Sequence, residues 1–123
     1  MSLQESGEMY LETIYMLSLE KPDVRAVDVG DRMGYSKPSV SRAMSILKKD
    51  GYVITDDDGF LRLTESGLRV AETMYERHNV LAEILMELGV SREAAYEDAC
   101  RIEHVISDES FRAMRNHWEK RRD

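Results

Sequence analysis

A mainly α-helical fold, interrupted once by a small β-hairpin, is what three features of this 123-residue chain predict. Apolar residues recur at helical spacing along most of the length, helix breakers are scarce at seven Gly and two Pro, and the pattern turns extended only on either side of one acidic tip. The length suits one compact domain or a small domain plus a dimerisation element, which excludes a large multidomain enzyme. At 42% apolar and 33% charged residues the chain reads as ordered rather than disordered or fibrous. Its single cysteine, Cys100, excludes an intramolecular disulfide and fits a cytoplasmic setting. No apolar run approaches the roughly 20 residues of a membrane span, and the N-terminus lacks the basic-then-apolar pattern of a signal peptide.

Taken in order, Leu11, Ile14, Tyr15 and Leu19 support a first helix over about 5–19, which Lys21, Pro22 and Asp23 end. A short helix over about 26–33 follows, with Val27, Val29 and Met33 as its apolar positions and Gly34 as its stop. Ser36 caps the next helix, Pro38 is tolerated in its first turn, and Val40, Ala43, Met44 and Leu47 form its stripe before Asp50 and Gly51 close it. Tyr52–Thr55 and Phe60–Leu63 then flank Asp56, Asp57, Asp58 and Gly59 as a hairpin. Thr64 caps a long helix to about Leu88, with Leu68, Ala71, Met74, Tyr75, His78, Leu81 and Leu85 on one face, and Gly89 stops it. Ser91 caps a fifth helix to about Ile106, and Asp108 a sixth in which Phe111, Met114 and Trp118 repeat at helical spacing and serve packing.

Helix, helix, tight turn, helix and hairpin is the order of a winged helix-turn-helix, whose second paired helix enters the major groove of DNA. The formal net charge of −7 argues against such a partner only in total. Between Ser36 and Lys49 stand four bases and no acid, leaving 13 bases against 24 acids elsewhere. Ser36, Lys37, Pro38, Ser39, Ser41 and Arg42 occupy the N-terminal half of the candidate recognition helix, where hydroxyls, cations and a helix N-terminus suit phosphates and base edges. Arg42 is the residue best able to make a bidentate guanine contact. Lys48 and Lys49 suit phosphates. Asp56, Asp57 and Asp58 at the wing tip would repel a phosphate backbone, so the tip stays clear of DNA or the docking differs.

A second constellation lies further on. Cys100, Glu103 and His104 fall at i, i+3 and i+4, on one helix face beside the Ala95, Ala99, Ile102, Ile106 stripe. His78 interrupts the apolar stripe of the long helix, and Met9 and Glu12 share a face of the first helix. Singly, Met9 and Cys100 also read as core filler and His78 as a core histidine. Together, sulfur, imidazole and carboxylate donors suit Fe(II), Co(II), Ni(II) or Zn(II) better than Mg(II) or Ca(II).

At Glu8-Met9-Tyr10-Leu11-Glu12-Thr13-Ile14-Tyr15, Ser36-Lys37-Pro38-Ser39-Val40-Ser41, Leu63-Thr64-Glu65-Ser66-Gly67 and Asp98-Ala99-Cys100-Arg101-Ile102-Glu103-His104-Val105 the chain resembles metal-dependent repressors of the diphtheria toxin repressor and manganese transport regulator type. The resemblance covers nearly the whole chain. It implies a winged-helix DNA-binding domain over 1–70 and a helical metal-binding and dimerisation domain over 71–123. It also implies a homodimer that binds Fe(II) or Mn(II), with Co, Ni or Zn as surrogates, and then palindromic double-stranded operator DNA. Met9, Cys100, Glu103 and His104 look like the regulatory site of the iron-responsive branch, and Glu12 and His78 also fall on ligand positions. Tyr96 stands where the iron-type second site has a histidine, and Met9 and Cys100 stand where the manganese branch has acids. The two-domain length is similar to that of the manganese-type proteins.

The expected function is metal-dependent repression of iron or manganese homeostasis genes by a protein that is not an enzyme. Metal held by donors of both halves would fix the angle between them and so, in a dimer, the spacing of two recognition helices, about 34 Å or a multiple of it. Two other classes stay open at this point: a winged-helix regulator answering to an organic ligand, and a small metalloenzyme with an open water position.

Overall fold

The computed structural model describes residues 4–122. The outer ends of the two expected domains, residues 1–3 and 123, lie outside the described residues. Six helices and two strands follow in the order α1 (Glu5–Glu20), α2 (Ala26–Met33), α3 (Lys37–Lys49), β1 (Val53–Thr55), β2 (Leu61–Leu63), α4 (Glu65–Glu87), α5 (Arg92–Ile102) and α6 (Asp108–Arg122). The chain forms two compact units, Met1–Thr73 and Met74–Asp123, the division falling inside α4.

In the first unit the core is built from Tyr10, Leu11, Ile14 and Leu17 of α1, Val29 of α2, and Val40, Met44 and Leu47 of α3. Val24 of the α1–α2 connection, Val53 and Leu61 of the hairpin and Ala71 of α4 complete it. Each large aliphatic side chain removed from water here stabilises the unit by about 1.5–3 kcal/mol. Two expected stripe positions face solvent instead: Leu19 is 60% exposed and Val27 57%. Both lie two residues from the residue that is buried, Leu17 and Val29, and two residues turn a helix by about 200°. Leu68 is likewise exposed, because the face of α4 that packs inward runs through Gly67 and Ala71.

The turn between α2 and α3 is set by Gly34, whose φ of 74° is the left-handed conformation that a side chain resists. Its N–H and that of Tyr35 both return to Gly30 O, closing α2 before Ser36 opens α3 by accepting from Ser39 N at 3.4 Å. The strands pair antiparallel with Val53 opposite Leu63 and Thr55 opposite Leu61. Period-2 alternation puts Val53 and Leu61 inward and leaves Ile54 exposed. A third rung comes from the segment before α2, where Leu61 N donates to Val24 O at 2.7 Å. Phe60 lies under the guanidinium of Arg25 at 4.7 Å, and Arg62 reaches Asp23, Asp56 and the carbonyl of Pro22. The wing is therefore tied to the α1–α2 connection by the Val24–Leu61 bridge, by Arg25 over Phe60 and by Arg62.

Helix α4 starts where Thr64 Oγ1 accepts from Gly67 N and donates to Gly51 O. In the second unit Leu81, Ala82, Ala95, Ala99 and Phe111 form the core, so α4 and α5 meet largely across small side chains. Two boundaries differ from the sequence expectation. Helix α5 ends at Ile102 rather than Ile106, because the chain tightens into i→i+3 bonds, His104 N to Arg101 O and Val105 N to Ile102 O. Ser107, not Asp108, caps α6: its hydroxyl accepts from Ser110 N at 3.0 Å. Asp108 opens the helix and pairs with Arg77.

A Cβ built on Gly67 would lie 2.1 Å from the carbonyl oxygen of Tyr52, which itself accepts from Thr64 N. Backbone on both sides leaves no flexible group to give way. Gly67→Ala is expected to destabilise the protein by about 1–3 kcal/mol, the usual scale of a forced backbone shift. Urea denaturation followed by circular dichroism measures it, and wild-type stability would contradict the close approach.

Candidate functional site

Helix α3 divides cleanly by burial. Val40, Met44 and Leu47 are buried, whereas Ser36, Lys37, Pro38, Ser39, Ser41, Arg42, Lys48 and Lys49 are all exposed. The helix thus exposes every residue expected to meet DNA, and the N–H groups of its first turn suit a phosphate. Ser36 and Ser39 also serve each other, with the Ser36 hydroxyl donating to Ser39 Oγ at 3.0 Å. Lys37, Ser41, Ser45 and Lys48 help line a groove of about 370 Å³ beside α2 and the hairpin.

At the wing tip, Asp56 is not a free surface acid. Its carboxylate accepts from the backbone of Asp58 at 2.9 Å and Phe60 at 3.0 Å, and from Arg62 Nε at 3.0 Å. The Phe60 N–H, reinforced by Asp58 and Arg62, holds its pKa below the ordinary carboxylate value. Only Asp57 and Asp58 face outward, so the tip is less repulsive than three consecutive aspartates suggest.

The donor residues fall in both units. In the first, Glu12 is buried and Met9 half-buried on the same face of α1. In the second, the structure brings His78, Glu103 and His104 together. Glu103 is 0% exposed; its Oε2 lies 3.7 Å from His78 Nδ1 and its Oε1 3.4 Å from His104 Nε2. Cys100, half-buried, is on α5 one turn before Glu103. A carboxylate removed from water costs several kcal/mol unless positive charge faces it. Two imidazoles, a carboxylate and a thiol, from the end of α5, the turn that follows it and α4, are donor types that fit a divalent transition metal.

Two residues from outside the expected donor set help to shape this site. Tyr96 packs its ring on His78, centroids 5.3 Å apart, and so limits how that imidazole turns. It sits four residues before Cys100, a helical spacing that places it on the donor face. Arg77 is 7% exposed and donates through Nη1 to the carbonyls of Glu103 at 2.9 Å and Ile106 at 3.0 Å, and through Nη2 to Asp108. Its position next to His78 was its only signal, because charged residues are ordinarily read as solvated.

The sequence matches two family models. Residues 2–61 match the iron dependent repressor N-terminal DNA binding domain, and residues 64–122 the iron dependent repressor metal binding and dimerisation domain. The HTH-type transcriptional regulator MntR of Bacillus pumilus is 35% identical over 102 residues, covering 83% of this chain and 71% of that protein. This chain belongs to the family of metal-dependent repressors. The diphtheria toxin repressor of Corynebacterium diphtheriae is 32% identical over 113 residues, covering 91% of this chain and 50% of the relative. The chain thus spans about half the length of the iron-type relatives it matches. The structure of the manganese regulator SloR superposes with a TM-score of 0.82 at 26% identity, covering 97% of this chain and 55% of that one. The mainly helical fold with a winged helix-turn-helix is that of the family. Among the described residues no helix is long and apolar enough to cross a membrane.

The depressed pKa of Asp56 has a signed consequence. Stability from its hydrogen bonds is present above the unfolded aspartate value of about 3.9 and is lost as the pH falls through the lower folded value. Titration of the Asp56 carboxyl by NMR is expected to give a midpoint below that of a free aspartate, with loss of amide protection at Phe60 on protonation. A midpoint at or above the free value would contradict the tucked wing tip.

Proposed function

We propose that the chain acts in the cytoplasm as a homodimeric, metal-dependent DNA-binding repressor of iron or manganese homeostasis genes, and not as an enzyme. In this reading residues 1–70 bind DNA and residues 71–123 bind metal and dimerise. His78, Cys100, Glu103 and His104 hold Fe(II) or Mn(II), and Met9 and Glu12 complete the donor set. The observation that carries the reading is the buried carboxylate of Glu103 between two imidazoles, in the segment matching a metal-binding domain. Preceding it is an exposed cationic helix in the segment matching a DNA-binding domain.

The bound cation would supply positive charge where the chain's own acids are concentrated. The residues supply the rest: imidazole and carboxylate donors held by packing, and a thiol whose deprotonation makes loading pH-dependent. Ser36, Lys37, Pro38, Ser39, Ser41 and Arg42 would enter the major groove of double-stranded operator DNA, with Lys48 and Lys49 on phosphates. A dimer reads two half-sites only when its recognition helices are spaced by about 34 Å or a multiple. Linkage requires metal and DNA to tighten each other by the same factor.

Anaerobic fluorescence anisotropy at fixed salt tests this, using promoter fragments upstream of metal-uptake genes and of the protein's own gene. Tightening by about tenfold or more in Fe(II) or Mn(II) over chelator, about 1.4 kcal/mol, is expected. Cys100→Ala and His104→Ala should abolish the metal response while the fold survives. Arg42→Ala should cost about 1–3 kcal/mol at one base position, and Lys48→Ala should lower the salt slope by about 0.9. Tight binding that ignores chelator would instead support a regulator of another ligand class.

A further inference from the structure

We propose that Arg77 is a positioning residue for the metal site, setting the main chain from which Glu103 and His104 project. This deepens the metal-binding reading of the second unit and rests on it. The arginine is almost fully buried, and its guanidinium spans three acceptors: Glu103 O and Ile106 O of the α5–α6 connection and the carboxylate of Asp108, the first residue of α6. Its guanidinium carbon lies 5.6 Å from the centre of the Phe111 ring, which is buried in the same core. Arg115 approaches that ring at the same distance and is itself held by Glu76 at 3.0 Å.

Helix α5 ends at Ile102, and the carbonyls of Glu103 and Ile106, which lie beyond it, need partners of their own. Arg77 supplies donors to two carbonyls of this connection and anchors the first residue of α6, so one planar side chain fixes both ends of the turn that carries Glu103 and His104. Its neighbour His78 faces the other end of the same glutamate: Arg77 holds the carbonyl of Glu103 while His78 lies 3.7 Å from the carboxylate. One step of α4 therefore sets backbone and side chain of Glu103 together. A lysine keeps the charge but, as a single point donor on a flexible stem, does not reproduce the fork.

Cobalt(II) titration under anaerobic conditions, read by the visible ligand-field spectrum, tests the role without DNA. Residues that orient metal ligands usually change metal affinity about 10–100-fold when altered. R77K, folded in chelator by circular dichroism and thermal melting, is expected to bind Co(II) at least about tenfold more weakly and with a changed spectrum. D108N removes one anchor at an exposed carboxylate, so it keeps the experiment decisive if R77K does not fold; it should weaken Co(II) by a smaller factor in the same spectral direction. Wild-type affinity and spectrum in folded R77K, or in D108N where R77K fails to fold, would overturn the positioning role. A wild-type protein that gives no ligand-field spectrum would overturn the metal reading itself, and the role of Arg77 with it.

Discussion

The second unit depends on how one carboxylate is kept out of water. Glu103 has no exposed surface, and an ionised group in that state needs compensating charge and directed hydrogen-bonding partners. Imidazole nitrogens lie near both of its oxygens and a guanidinium holds its carbonyl, so the surroundings of this residue are defined on every side that the second unit provides. Ala95 and Ala99 of α5 share one core with Leu81 and Ala82 of α4, and His78 of α4 lies beside Glu103 just past the end of α5.

In the first unit the opposite requirement holds. A surface meant for a polyanion must be exposed and cationic, and α3 meets it by burying only one narrow stripe. The chain is acidic overall, yet the local field of α3 is set by residues 36–49, because charges more than about 8–10 Å away are strongly screened at physiological salt. The wing removes one further conflict by turning Asp56 inward, where backbone N–H groups and Arg62 neutralise it. Arg62 does two things at once: it satisfies that aspartate and ties the hairpin to Asp23 and Pro22 near α2.

Most of the fold was legible in the sequence because its determinants are local. Gly34 and Gly89 at positive φ, Ser36, Thr64 and Ser91 as caps, and the hairpin around Asp56–Gly59 each act within a few residues. What stayed illegible depends on long-range partners. The connection after the shortened α5 is held by Arg77, 26 residues before Glu103, and no local signal marks Arg77 as buried. The exposed Leu19 and Val27 reflect which face of a short helix meets its neighbours, a choice that periodicity alone leaves open by one or two residues. Of the donors, Cys100, Glu103 and His104 could be grouped from helical spacing, whereas the approach of His78 to Glu103 and the packing of Tyr96 on His78 each join two separate chain segments and follow only from tertiary packing.

That packing also bears on metal preference. At any site it ligates, a thiolate or thioether in place of a carboxylate strengthens binding of softer, later divalent ions relative to manganese, which prefers oxygen. In the proposed donor set Met9 and Cys100 are the two sulfur positions, which would favour a softer ion, while Glu12, Glu103 and the two histidines would serve iron or manganese alike. Affinity rises along the first-row series for almost any such donor set, so donor identity alone discriminates weakly, and the remaining control is geometry. Here geometry is the business of residues that do not bind metal: Tyr96 restrains one imidazole and Arg77 fixes the turn that carries the glutamate and the other. A site with soft donors and a rigid surrounding can select by shape what chemistry alone would leave to abundance.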